Sequence, residues 1–162
     1  MTATAELTTR TMTDDEIAEF GRQHLGEYVA QRMAAGEPPE RARTHADDEW
    51  ARYFPDGTPA AGHRFYRLLA GGEPAGILWL GPSPDGRTGT DWIFYVEIDE
   101  AMRGRGYGRA AMRIAERDAT AHGARSLGLN VFGGNTVARQ LYESTGYRPT
   151  AITMVKELRS GD

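Results

Sequence analysis

The stretch from Trp92 to Ala110 limits the rest of the chain more than any other. It opens with the apolar run Trp92-Ile93-Phe94-Tyr95-Val96 and breaks at the acids Asp99-Glu100. It then turns through Gly104, Gly106 and Gly108, spaced two apart, and continues as an Ala- and Arg-rich segment. That order reads as strand, turn, helix. The first four amides of a helix lack internal partners and the dipole is positive there, so such a corner binds anions. Arg103 and Arg105 add formal charge inside the turn. A phosphate or pyrophosphate is therefore expected on residues 103–109. A tight corner without a ligand is the bland alternative. Two nucleotide-binding loops are excluded. A P-loop needs Lys followed by Ser or Thr after its last glycine, and Arg109-Ala110 follow Gly108. A dinucleotide fingerprint needs a third glycine beyond Gly106-Tyr107-Gly108, where Ala110-Ala111 stand.

The 162 residues suit one domain spanning residues 1–162, long enough for a substantial core. With 19 basic and 23 acidic side chains the net charge is −4, which gives no electrostatic footprint for nucleic acid or anionic membrane. Without cysteine, disulfides, thiol catalysis and thiolate metal sites drop out. No apolar run approaches the ~18 residues of a membrane span. The first twelve residues lack a signal-peptide core, so a cytoplasmic location is the default expectation.

In chain order, residues 1–5 are small and polar and are expected to be loose. Ala5 to Thr11 is a candidate edge strand. Thr13-Asp14-Asp15-Glu16 is a capping box. The helix behind it carries Ile17, Phe20, His24, Leu25, Tyr28, Val29 and Met33 at helical spacing and ends at Ala34-Ala35-Gly36. Pro38-Pro39 starts a second helix, which Pro55-Asp56-Gly57 stops. His63 to Leu69 and Ala75 to Leu80 read as a hairpin around Gly71-Gly72. After the loop 81–89 comes the strand 91–98, apolar on both faces until Glu97, as in a central strand. A helix runs from about Gly106 to His122, closed by Gly123. Ser126 to Val131 is a strand. Asn135 caps a short helix with Val137, Ala138, Leu141 and Tyr142 inside, and Gly146 ends it. Ala151 to Leu158 is expected as a final strand. Hairpins and crossovers together predict a mixed sheet.

From Trp92 to Tyr147 the chain resembles the GNAT superfamily, the Gcn5-related N-acetyltransferases. Arg103-x-x-Gly106-x-Gly108 matches that family's acetyl-CoA signature, after a strand and opening a helix. Asn135, Ala138, Leu141, Tyr142, Glu143, Gly146 and Tyr147 match a second segment about thirty residues on. The resemblance implies an α/β (α+β) fold with a mixed, mostly antiparallel central sheet. Six to seven strands are expected, splayed in the middle, with helices on both faces. It implies acetyl-CoA as acetyl donor, no metal, and transfer to a primary amine by direct attack in a ternary complex. The acceptor is then a small-molecule amine or a peptide or protein amine. Many members dimerise, which leaves a homodimer open.

By the same resemblance the amides of Arg103, Gly104, Arg105, Gly106, Tyr107, Gly108 and Arg109 hold the pyrophosphate. The strand edge at Val96 and Ile98 pairs with the pantetheine arm. The Ile98 N–H faces the thioester carbonyl as oxyanion donor, and Asn135 and Tyr142 reach the cofactor. Tyr142 is the candidate general acid, with a core tyrosine packed on Tyr147 as the alternative. Glu97 is the candidate base, its pKa to be raised by burial; a rim carboxylate paired with an arginine is the alternative. Asp91 and Tyr95 are its rivals. Arg109, Arg113 and Arg117 form either a positive strip toward the ribose phosphate or a solvated helix face. His24 either lines the acceptor cleft or is structural, and the four histidines show no metal-ligand spacing. A CoA-binding regulator without efficient chemistry and an unrelated phosphate-binding domain are the alternative functions.

Overall fold

The computed structural model describes residues 6–158. The expected loose segment 1–5 lies outside the described residues. The elements are β1 (Leu7–Thr11), α1 (Asp14–Ala34), α2 (Pro39–Tyr53), β2 (Arg64–Ala70), β3 (Glu73–Pro82), β4 (Thr90–Ile98), α3 (Tyr107–Ala121), β5 (Ser126–Leu129) and α4 (Thr136–Ser144). Short 3₁₀ turns occupy Pro55–Gly57 and Glu100–Met102.

Local chemistry sets these boundaries. The Thr13 hydroxyl accepts from the Glu16 N–H at 3.3 Å, and Glu16 Oε2 accepts from the Thr13 N–H at 2.9 Å. Two otherwise orphaned donors are thereby satisfied at the start of α1. Pro39 opens α2 at a position where the missing N–H costs nothing. Gly71 and Gly72 both take positive φ in the two-residue β2–β3 turn, which matches the right-handed twist of the strands.

The strands lie in the order β1-β2-β3-β4-β5. The first three pairings are antiparallel and β4–β5 is parallel. α3 makes the crossover that a parallel pair requires. Each face of the sheet has its own core. On one, Leu68, Leu78, Leu80 and Ile93 pack against Tyr107, Ala111, Met112 and Ala115 of α3. On the other, Phe65 and Trp79 pack against Ile17 and Phe20 of α1 and against Trp50, Tyr53 and Phe54. Asp91 is buried against the Arg64 guanidinium, which also binds Asp118 of α3. The Tyr66 hydroxyl donates to Asp118 Oδ1 at 2.6 Å.

β4 carries a bulge. Trp79 pairs with Tyr95 and the next residue, Leu80, pairs with Ile93, so Phe94 is the extra residue. Phe94 and Tyr95 consequently both join the aromatic core, while Val96 and Ile98 pack on the α3 side.

Three expectations need correction. Among the described residues the sheet has five strands, not the expected six to seven. Residues 151–158 form no strand, and Ile152, Met154, Val155 and Leu158 are 74–88% exposed. Ile152, Met154 and Leu158 share one parity, but among the described residues no strand lies beside them to pair their main chain and bury that face. The splay lies beside the last strand, not in the middle: β4 and β5 pair only from Thr90↔Ser126 to Ile93↔Leu129. Helices do cover both faces. Among the described residues no helix is long and apolar enough to cross a membrane.

Candidate active site

Among the described residues, no strand lies beside one edge of β4 beyond Ile93. The Asp99 N–H donates to the Ala75 carbonyl of β3 at 2.9 Å. Antiparallel alternation then turns the main-chain groups of Glu97 and Tyr95 toward β3, and those of Val96 and Ile98 toward the open side. Gly76 fits this register: a Cβ there would lie 2.0 Å from the Glu97 carbonyl oxygen. The Ile98 carbonyl accepts from Arg103 Nε at 2.9 Å, as an outward-facing oxygen can.

The glycine turn follows. Gly104 and Gly106 take φ of 75° and 83°, in the left-handed region, and no neighbour lies within 4 Å of a Cβ at either. Gly106 is the residue that enters α3, and among the described residues no side chain caps the helix there. The Ala110 N–H is the first to bond back, to the Gly106 carbonyl at 3.1 Å. Among the described residues, no protein acceptor takes the N–H groups of 104–109. The first turn of α3 has no acid, whereas that of α1 has three. A row of unshared donors at a positive dipole end is a site for an anion. Tyr107 contributes main chain only, since its ring is buried in the core. Arg105 and Arg109 are exposed, and Arg109 Nη2 donates to Ser144 Oγ at 3.1 Å. Arg113 and Arg117 are exposed along the same helix.

Tyr142 packs beside Leu141 and Tyr147 on the α3-side core that also holds Val96, Ile98 and Met102. Its ring meets that of Tyr147 edge-on at 6.1 Å. Burial pushes its hydroxyl above the usual phenol value, so it holds its proton at neutral pH. Among the described residues it has no hydrogen-bond partner. Asn135 caps α4, its Oδ1 accepting from the Ala138 N–H at 3.1 Å.

Glu97 is less buried than expected: its side chain is 43% exposed. Its Oε2 accepts from the Tyr95 hydroxyl, and its Oε1 lies 3.8 Å from Arg103 Nη2. Asp91, its rival, is committed to Arg64. Tyr95 stays protonated, because burial and the neighbouring Glu97 raise its pKa. Its ring also packs edge-on against His24, 4.8 Å away.

His24 stacks on Phe20 at 5.0 Å, and its buried Nδ1 has no partner among the described residues. Burial lowers its pKa to about 4, so the ring is neutral at pH 7. The other histidines have structural partners: His45 beside Glu37, His63 accepting from Trp79 Nε1, and His122 beside Asp118. Trp50, Tyr53, Phe54 and Trp79 are aromatic core.

One feature of the site has no sequence signal. A cleft of about 330 Å³ opens between α1 and the sheet, lined by Glu19, Phe20 and Gln23 of α1 and by Arg67 and Ile77. Arg67, Ile77 and Glu97 form one cross-strand row, so the cleft floor leads to the Glu97 carboxylate. The spacing of 19, 20 and 23 marks one side of a helix, but only tertiary packing shows which strands it faces.

The open strand end runs directly into the amide-lined helix entry, an arrangement suited to a ligand with an amide arm and a phosphate. The chain belongs to the Acetyltransferase (GNAT) family, whose model matches residues 23–147. It is 29% identical over 149 residues to the uncharacterized N-acetyltransferase YycN of Bacillus subtilis, covering 91% of this chain and 96% of that protein. It is 30% identical, also over 149 residues, to the uncharacterized N-acetyltransferase YdgE of the same organism, covering 91% and 95%. The crystal structure of YycN superposes with a TM-score of 0.85 over 95% of this chain and 99% of that one. Aminoglycoside N-acetyltransferase AAC(6')-Iy, solved in complex with CoA, shares the fold alone, at 15% identity and a TM-score of 0.57 over 99% of both chains. The protein is an acetyl-CoA-dependent acetyltransferase.

Proposed function

We propose that the protein moves an acetyl group from acetyl-CoA to a primary amine by direct attack, with both substrates bound together. The observation that carries this reading is the row of undonated N–H groups at 104–109, placed where the free edge of β4 ends.

The residues fit the cofactor. The N–H groups of Gly104 to Arg109 suit a diphosphate, with Arg103, Arg105 and Arg109 adding charge. The outward groups of Val96 and Ile98 suit an amide chain laid along the strand, with Asn135 near its course. Acetyl-CoA supplies the activated acyl group. The Ile98 N–H is the donor for a carbonyl oxygen on the open edge. Tyr142 keeps its proton through burial, its hydroxyl has no hydrogen-bond partner among the described residues, and it gives that proton to a departing thiolate. The amine enters by the cleft under α1, where Glu97, hydrogen-bonded to Tyr95, takes a proton directly or through water. Effective concentration of two bound reactants supplies a large part of the rate. The whole chain acts as one domain in the cytoplasm, and a homodimer is compatible with this chemistry.

The test is thiol release from acetyl-CoA over a panel of polyamines, aminoglycosides, amino acids and peptide N-termini. At least one amine should accelerate release. If acetyl-CoA raises the melting temperature and no amine accelerates release, the protein is a CoA-binding regulator. If ATP or NAD raises it and acetyl-CoA does not, the turn serves another phosphate ligand.

A further inference from the structure

We infer that Arg103 is a latch: its side chain holds the Ile98 carbonyl and the Glu97 carboxylate until a diphosphate reaches the glycine turn, and then releases both. This rests on the cofactor site proposed above.

The geometry begins with a conflict. A ligand amide chain that adds to β4 as a strand must use the outward carbonyls as acceptors. The Ile98 carbonyl is one of these, and Arg103 Nε already donates to it at 2.9 Å. The same guanidinium places Nη2 3.8 Å from Glu97 Oε1. One side chain thus occupies the outermost rung of the open edge and screens the candidate base. These two groups are adjacent in sequence but point in different directions, one along the sheet and one off its face. Only a forked, long side chain engages both.

Arg103 also opens the turn whose N–H groups are unshared. Its side chain is 58% exposed, and an exposed carboxylate contact of this length is weak. A diphosphate on residues 104–109 offers a stronger partner: multiple negative charge, and oxygens spaced for two parallel guanidinium bonds. The guanidinium therefore swings toward the phosphates. The Ile98 carbonyl becomes available to the ligand's amide, and Glu97 loses its screening cation. The amine side of the site gains net negative charge only after the cofactor side is filled. Binding of the two substrates is then positively and reciprocally coupled.

The test uses the full chain and two probes, inorganic pyrophosphate and CoA. The readout is the Arg103 Nε–H resonance in ¹H–¹⁵N spectra, assigned by its loss in Arg103→Lys. Both probes should shift it, along with the amides of 104–109, and only CoA should shift the Val96 amide. If the 104–109 amides move while the Arg103 Nε–H stays, the latch is wrong and the cofactor site stands. If neither probe moves any resonance of the turn, both fail. The second measurement is binding of an amine substrate from the release screen. With CoA saturating in each protein, as read from the 104–109 amides, it should tighten amine binding by about fivefold or more in the wild type and leave it unchanged in Arg103→Met. Equal coupling in the two proteins overturns the proposal.

Discussion

Single positions decide how the site is held. At Gly76 a methyl group would lie 2.0 Å from the Glu97 carbonyl oxygen and 3.0 Å from its carbon. Both are backbone atoms of a paired strand and cannot turn aside. Gly76→Ala should lower unfolding stability by about 1–3 kcal/mol, read by urea denaturation. It should also weaken acetyl-CoA binding, because the displaced strand is the one whose edge is open. Tyr142 tests the chemistry. Tyr142→Phe keeps the ring and its edge contact with Tyr147. It should bind acetyl-CoA normally and lower kcat by about tenfold to a hundredfold, less than a general acid's usual upper range because a thiolate leaves fairly well unaided. An unchanged rate across the pH range removes Tyr142 from the mechanism.

Elements are where the sequence was most readable. The capping box, the Gly-Gly hairpin and Asn135 before α4 are local chemistry, and each stands within a residue of its expected place. Thr13→Ala should cost about 1 kcal/mol by thermal or urea unfolding, since it strands the Glu16 N–H while leaving the Arg10–Glu16 pair. The glycine turn was legible for the same reason: spacing alone dictates a corner with bare amides. What was illegible depends on partners distant in sequence. Nothing in residues 151–158 reports that, among the described residues, no strand lies beside them. Glu97 looked buried because its strand neighbours are apolar, yet it stands at the rim with Arg103 and Tyr95. The cleft under α1 and the Arg64–Asp91–Asp118 group likewise join residues tens of positions apart.

At the scale of the whole molecule, the sheet separates an aliphatic core under α3 from an aromatic one under α1 and α2. The aromatic layer contains two imidazoles held neutral by burial, His24 and His63, each with its pKa lowered to about 4. The unfolded chain takes up these protons near the ordinary value of 6.5, above the folded value. Stability is therefore full above that pH and declines as pH falls toward 4. For His24 the loss amounts to up to about 3 kcal/mol. His24→Phe, which preserves stacking on Phe20, should flatten the fall in urea midpoint between pH 6.5 and 4.5. A variant as acid-sensitive as the wild type assigns the effect elsewhere.

The extra residue at Phe94 has a consequence for how such a chain can change. Count inward from Asp91 by twos, and Tyr95 and Glu97 belong beneath α3, among the aliphatic side chains. The inserted residue reverses odd and even at that point, so both emerge on the opposite side, the one that faces α1. Removing Phe94 would delete no charged or reactive group. It would nonetheless send the carboxylate to the wrong side of the sheet and bring Val96 and Ile98 out in its stead.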